Sequence, residues 1–175
     1  MEEDLKYPIG KFQPKPYNPD LKNEWLKELS FLPADLEMAI LNLDSAQLNM
    51  PYRPDGWTIQ QLVHHVADSH MNACIRFKLA LTEDTPTIRP YDENAWAKLS
   101  DVLTTPVNVS ITLLHALHIR WVESLKGLSE EEWQKKLIHP GQNKEMSLFF
   151  LLGLYVWHGK HHVRHITAWR ERMGW

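Results

Sequence analysis

The sequence predicts an all-α protein, a four-helix bundle with one long crossover connection and an extended N-terminal arm. Three observations predict it. Helix-start signals recur along the chain, apolar residues between them return at helical intervals, and no stretch sustains period-2 alternation. Sheet is therefore expected to be absent or minor.

Residues 1–18 carry Pro8, Pro14 and Pro16, which remove backbone donors and favour extended conformations, so they read as an arm on the domain surface rather than a helix. Residues 19–175 read as a single domain. Asn18 followed by Pro19 is an N-cap with proline at the first helical position, and the segment to Leu43 spaces apolar residues helically, with Pro33 as the expected kink or break. After the breaker-rich "NMPYRPDG", Thr58 and Gln61 form a capping box for a second long helix through Leu81. The segment from Thr82 to Thr105 is the crossover, with a short helix expected around "DENAWAKLSDV". Thr105 and Pro106 open a third long helix, and Ser147 opens a fourth that runs towards Met173. "LDSAQL" and "LSEEEW" echo each other as capped turns, each ahead of a Pro/Gly-containing loop and a histidine-bearing helix, as in a bundle built from two similar halves.

Length and composition narrow the function. A chain of 175 residues suits one domain with its own core. The formal charge of -3 gives no broad electrostatic reason to expect nucleic acid or an anionic membrane as partner, so a small molecule or another protein is expected. Cys74 is the sole cysteine, which excludes an intramolecular disulfide and a Cys-rich zinc site and fits a reducing, cytoplasmic location. The acidic, proline-broken N-terminus lacks the regions of a secretory signal. The longest apolar run, Met146 to Trp157, falls short of the roughly 20 residues of a membrane helix.

Four of the ten histidines fall within Trp157–Ile166, directly after that run. Leu148, Leu151, Tyr155, Ile166 and Trp169 form one stripe of the fourth helix; His162 lies inside it and His158 on its shoulder, while His161 and His165 sit further round. The spacing of four stacks His158 and His162 on one face, within reach of one ion. Two imidazoles leave a transition metal under-coordinated, so a metal reading needs another ligand. His64, His65 and His70 on the second helix and His115 and His118 on the third are candidates, and periodicity does not choose among them. His139, in a Pro/Gly loop, reads as solvated. No Glu-x-x-His, His-Glu-x-x-His, Gly-x-Ser-x-Gly or Gly-rich phosphate motif is present, which disfavours a di-iron carboxylate bundle, a zincin, a serine hydrolase and a nucleotide enzyme.

"GWTIQQLVHHVADSHMN" and "YVWHGKHHVRHI" resemble the two histidine-bearing helices of the DinB/YfiT-like four-helix-bundle metalloproteins. "YPIGKF", "MPYRPDGW" and "WRERMGW" extend the resemblance over almost the whole chain. Residue by residue, it implies that His65, eight after Trp57, is the first metal ligand and that His158 and His162 are the others. His64, His161 and His165 would be neighbours. Asp68, three residues after His65, is placed to orient a ligand ring, although on a helix it reads rather as a solvated or capping-type residue. The resemblance further implies a homodimer and a divalent transition metal, zinc or nickel. It implies either metal-dependent hydrolysis or S-transfer with a low-molecular-weight thiol of the bacillithiol or mycothiol kind. Three neutral imidazoles leave positions for water or substrate, as expected of a catalytic metal acting on a small molecule. The rival readings are a non-catalytic metal-binding bundle with a structural or regulatory role, and histidines that bind nothing.

Overall fold

The computed structural model describes residues 5–142 and 144–175. Four long helices dominate it: α1 (Pro19–Ile40), α3 (Ile59–Thr82), α6 (Val107–Leu125) and α8 (Leu148–Met173). Between them lie the short helices α2 (Ser45–Leu48), α4 (Glu93–Trp96), α5 (Ser100–Thr104) and α7 (Glu130–Trp133). Three of the four long helices start on a side-chain cap, whereas α6 follows Pro106 without one. The Asn18 side chain accepts from the Leu21 amide at 2.9 Å, Thr58 and Gln61 close a reciprocal capping box, and Ser147 caps Phe150. The two echoing segments form the matching turns α2 and α7, each with its own capping box.

α1 packs against α6 and α8, and α3 packs against the same two, so α1 and α3 face each other across the bundle. The connection from α3 to α6 is the long crossover, and it carries two short helices where the sequence suggests one. Side-chain amides in the first turn of α3 hold it in place. Gln61 donates to the Ala97 carbonyl at 2.8 Å and Gln60 to the Val102 carbonyl at 2.9 Å. The minor sheet is one antiparallel hairpin, β1 (Lys136–His139) with β2 (Lys144–Ser147), leading straight into α8.

Pro33 does not break α1, which continues through it. A mid-helix proline withdraws the amide that would bond to the carbonyl four residues earlier, here Leu29. That carbonyl instead accepts from His118 Nδ1 on α6 at 2.7 Å, so neighbour-helix chemistry supplies what the proline removes. In the arm, Leu5 and Lys6 are helical rather than extended, and residues 7–18 carry no regular element. The arm lies along α8: Trp157 Nε1 donates to the Gly10 carbonyl at 3.1 Å, Phe12 packs edge-on to Phe150, and Tyr17 packs edge-on to Phe149.

The buried apolar residues form two clusters. One gathers Leu29, Phe77, Trp121, Trp133 and Leu152; the other gathers Leu36, Ile59, Leu62, Leu114 and Ile166. Along all four long helices the change from one cluster to the other falls at the same level. On α3, α6 and α8 histidines stand at that level, His70, His118 and His158 to His165, and His65 joins them from within the second cluster's stretch of α3. A polar layer thus divides the core.

Candidate metal centre

α3 and α8 bring His65, His158 and His162 together, with one nitrogen of each ring within 4.8 Å of the others. His158 Nε2 lies 3.3 Å from His65 Nε2 and 3.2 Å from His162 Nε2. Three converging Nε2 atoms are poorly satisfied by one another, because a single in-plane lone pair on His158 accepts one good hydrogen bond, not two. A cation suits them better. Two nitrogens about 2.0–2.1 Å from a tetrahedrally coordinated ion are about 3.3 Å apart, which is the spacing found here.

The electrostatics favour ligation as well. Burial lowers the His65 pKa to about 4, and burial together with the neighbouring imidazoles holds His158 and His162 well below the usual histidine value. All three rings are therefore neutral near pH 7, the form that donates a lone pair to a metal. Trp57 packs on His65 with ring centroids 4.6 Å apart.

These rings form one wall of an open pocket of about 380 Å³, whose other walls include Tyr7 from the arm, Tyr52 and Arg53 from the loop before α3, and Trp157. His161 and His165 belong to this pocket. Periodicity places them away from the core stripe, yet both are buried, because the arm and that loop cover their face of α8. Their Nε2 atoms are 2.9 Å apart, and burial lowers their pKa values to about 4 and about 3.

The other candidate ligands lie elsewhere. His64 bonds to Ser110 Oγ at 2.7 Å and to the Thr105 carbonyl at 3.0 Å, tying α3 to the start of α6. His115 pairs with Glu37 at the surface. His70 and His118 are buried behind His158 rather than in the pocket. His139 is not the solvated loop residue that its Pro/Gly neighbours suggest. It stands on β1, partly buried, beside a cavity of about 250 Å³ shared with Arg76, Tyr91, Tyr155 and His158. Asp68 is partly buried rather than solvated, and burial, reinforced by Asp101, raises its pKa to about 6. It makes no hydrogen bond to a ligand ring.

The DinB superfamily model matches residues 28–166, and the chain belongs to that superfamily. Among individual relatives, a Bacillus cereus (strain ATCC 10987) protein named "Putative metal-dependent hydrolase" is 50% identical over 173 residues, covering 98% of this chain and 99% of its own. A Bacillus anthracis (strain CDC 684) protein of the same name matches to the same extent. Among solved structures, YfiT from Bacillus subtilis is described as a probable metal-dependent hydrolase with an unusual four-helix bundle topology. It superposes with a TM-score of 0.97 at 46% identity, over 98% of this chain and 99% of that one.

Proposed function

We propose that this chain is a divalent-metal-dependent hydrolase acting on a small molecule, with one ion held by His65, His158 and His162. The observation that carries the reading is the convergence of three neutral Nε2 atoms at the wall of an open pocket. A closed structural site would have four protein ligands, whereas three imidazoles leave room for water and substrate. The bound ion would supply Lewis acidity, making water nucleophilic near neutral pH. Zinc and nickel both suit imidazole ligands.

The remaining pocket residues have tasks that follow from their chemistry. Arg53 offers positive charge to an anionic part of the substrate, Trp57 and Trp157 limit water access, and the neutral, hydrogen-bonded His161–His165 pair offers polar contacts to a bound molecule. The same site would serve S-transfer. Cys74 is buried and is absent from the pocket lining, so that chemistry requires an added low-molecular-weight thiol. Lys6 and Arg53 suit an anionic thiol of this kind.

The test is elemental analysis of untagged protein purified without a metal column, wild type against His158→Ala, with circular dichroism of both. Near-stoichiometric metal in the wild type and its loss from a folded variant are expected. Equal metal in both, or none in either after reconstitution, overturns the site. Turnover without added thiol identifies hydrolysis, and strict thiol dependence identifies S-transfer. We further propose a homodimer, supported by the exposed apolar side chains Phe31 and Met38 on α1 and Ile119 on α6. Light scattering should then give twice 20.6 kDa, and a mass of 20.6 kDa refutes it.

A further inference from the structure

A line of hydrogen bonds runs from the candidate metal centre to the far side of the bundle. His158 Nδ1 lies 3.3 Å from His70 Nε2, His70 Nδ1 lies 3.0 Å from His118 Nε2, and His118 Nδ1 lies 2.7 Å from the Leu29 carbonyl. His70 is fully buried and His118 nearly so, and among the described residues none of the three rings bonds to a carboxylate that would hold a second proton.

The carbonyl end sets the direction of every bond. A carbonyl only accepts, so His118 carries its proton on Nδ1 and its Nε2 is a bare acceptor. His70 must then donate from Nδ1, which leaves its own Nε2 bare, and His158 must in turn donate from Nδ1. The consequence is that His158 presents an unprotonated Nε2 to His65 and His162. The origin of the line is Pro33: without its missing amide, the Leu29 carbonyl would be occupied within α1.

We propose that Pro33, the Leu29 carbonyl, His118 and His70 form a positioning relay that fixes His158 as its Nδ1–H tautomer and aims its Nε2 lone pair into the metal site. His70 and His118 are positioning residues, since they reach the pocket only through His158. The consequence for metal binding rests on the three-histidine reading above; the tautomer itself does not. His162 has no such support among the described residues, where its buried Nδ1 finds no hydrogen-bond partner. The relay therefore makes His158 the one α8 ligand that is preset before any ion arrives.

The experiment is imidazole ¹⁵N–¹H correlation spectroscopy on metal-free protein, with zinc affinity measured on wild type, His118→Leu and His118→Gln. The wild type should show His158 protonated at Nδ1. His118→Leu removes the acceptor for His70, so a mixed His158 tautomer and a roughly 10–100-fold loss of zinc affinity are expected. His118→Gln keeps an acceptor near the Nε2 position and should retain both within a few-fold. A wild-type His158 protonated at Nε2 overturns the relay, whether or not either variant folds. So does a folded His118→Leu protein with unchanged tautomer and affinity. If the wild type binds no zinc while His158 is an Nδ1–H tautomer, the metal reading fails and the relay stands.

Discussion

Lowering the pH from 7.5 to 5 should destabilise the metal-free protein by several kcal/mol, and the histidine layer supplies the reason. His65 and His118 have pKa values of about 4 in the folded chain, mainly through burial, against an ordinary value of 6.5. Between those values the unfolded chain binds more protons, so stability is unaffected above about pH 6.5 and falls as pH drops through the window. At pH 5 each ring costs about 2 kcal/mol by this linkage. His70, His158 and His162, shifted in the same direction, add to the loss. Asp68 opposes it, because a carboxyl raised to about 6 gains by protonation; discounted for its partial exposure, it returns about 1 kcal/mol or less. His65, His118 and Asp68 alone give a net loss of about 3 kcal/mol, which corresponds to a melting temperature lower by at least roughly 6–12 °C for a domain of this size. Thermal unfolding by circular dichroism on EDTA-treated protein measures it. A melting temperature that is level or rises between pH 7.5 and 5 refutes the buried neutral layer.

The close approach of α1 and α8 should make the two α8 glycines intolerant. A Cβ on Gly159 would lie 2.4 Å from both Leu32 methyls, and one on Gly153 2.5 Å from the Trp25 ring. Alanine gains about 1 kcal/mol of helix propensity but overpacks the contact by about 1–3, so Gly153→Ala and Gly159→Ala should lose up to about 2 kcal/mol by chemical denaturation. A stabilised variant would show that the helices separate freely. Thr58→Ala deletes the capping box at the entrance of the helix that carries His65, and about 1 kcal/mol of lost stability is expected in urea titrations; an unchanged midpoint contradicts the cap. The Cys74 thiol is buried and its pKa raised by that burial, so a disulfide reagent should leave native protein unlabelled over minutes and modify one thiol per chain in denaturant; rapid native labelling contradicts its burial.

What the sequence made legible was whatever is encoded within one helix. Asn18, Thr58 and Ser147 mark their helix starts by side-chain chemistry that acts over three residues, and the i, i+4 spacing puts His158 and His162 together before any neighbour is known. What stayed hidden depends on which helix lies opposite. His64 and His65 flank the same apolar stripe, and only the placement of α6 and α8 sends one to the Thr105 carbonyl and the other to the cluster with His158 and His162. His70 and His118, 48 residues apart, meet only through interhelical register. Pro33 misled for the same reason: a helix breaker judged by its own turn becomes tolerable once a side chain from another helix takes the carbonyl it frees.

The histidine layer also bears on whether an ion would be structural or catalytic. A structural ion's binding energy is folding energy, and the fold then has little else to rely on. Here the layer sits between two apolar clusters that include the fully buried Trp121, Trp133, Phe77 and Leu62, and these do not depend on an ion. Side chains such as these contribute about 1.5–3 kcal/mol each on burial. The metal-free protein should therefore remain helical and unfold cooperatively, with added zinc stabilising it by the mass-action amount, about 2.7 kcal/mol at 100 times the dissociation constant, which is read as a higher melting temperature. Loss of far-ultraviolet helical signal on chelation at neutral pH would reverse the argument and make the ion part of the fold. Retention of that signal means that the neutral imidazoles are held in place by the apolar clusters and by their own hydrogen bonds. Such a site is formed before the ion arrives and can leave coordination positions open for chemistry.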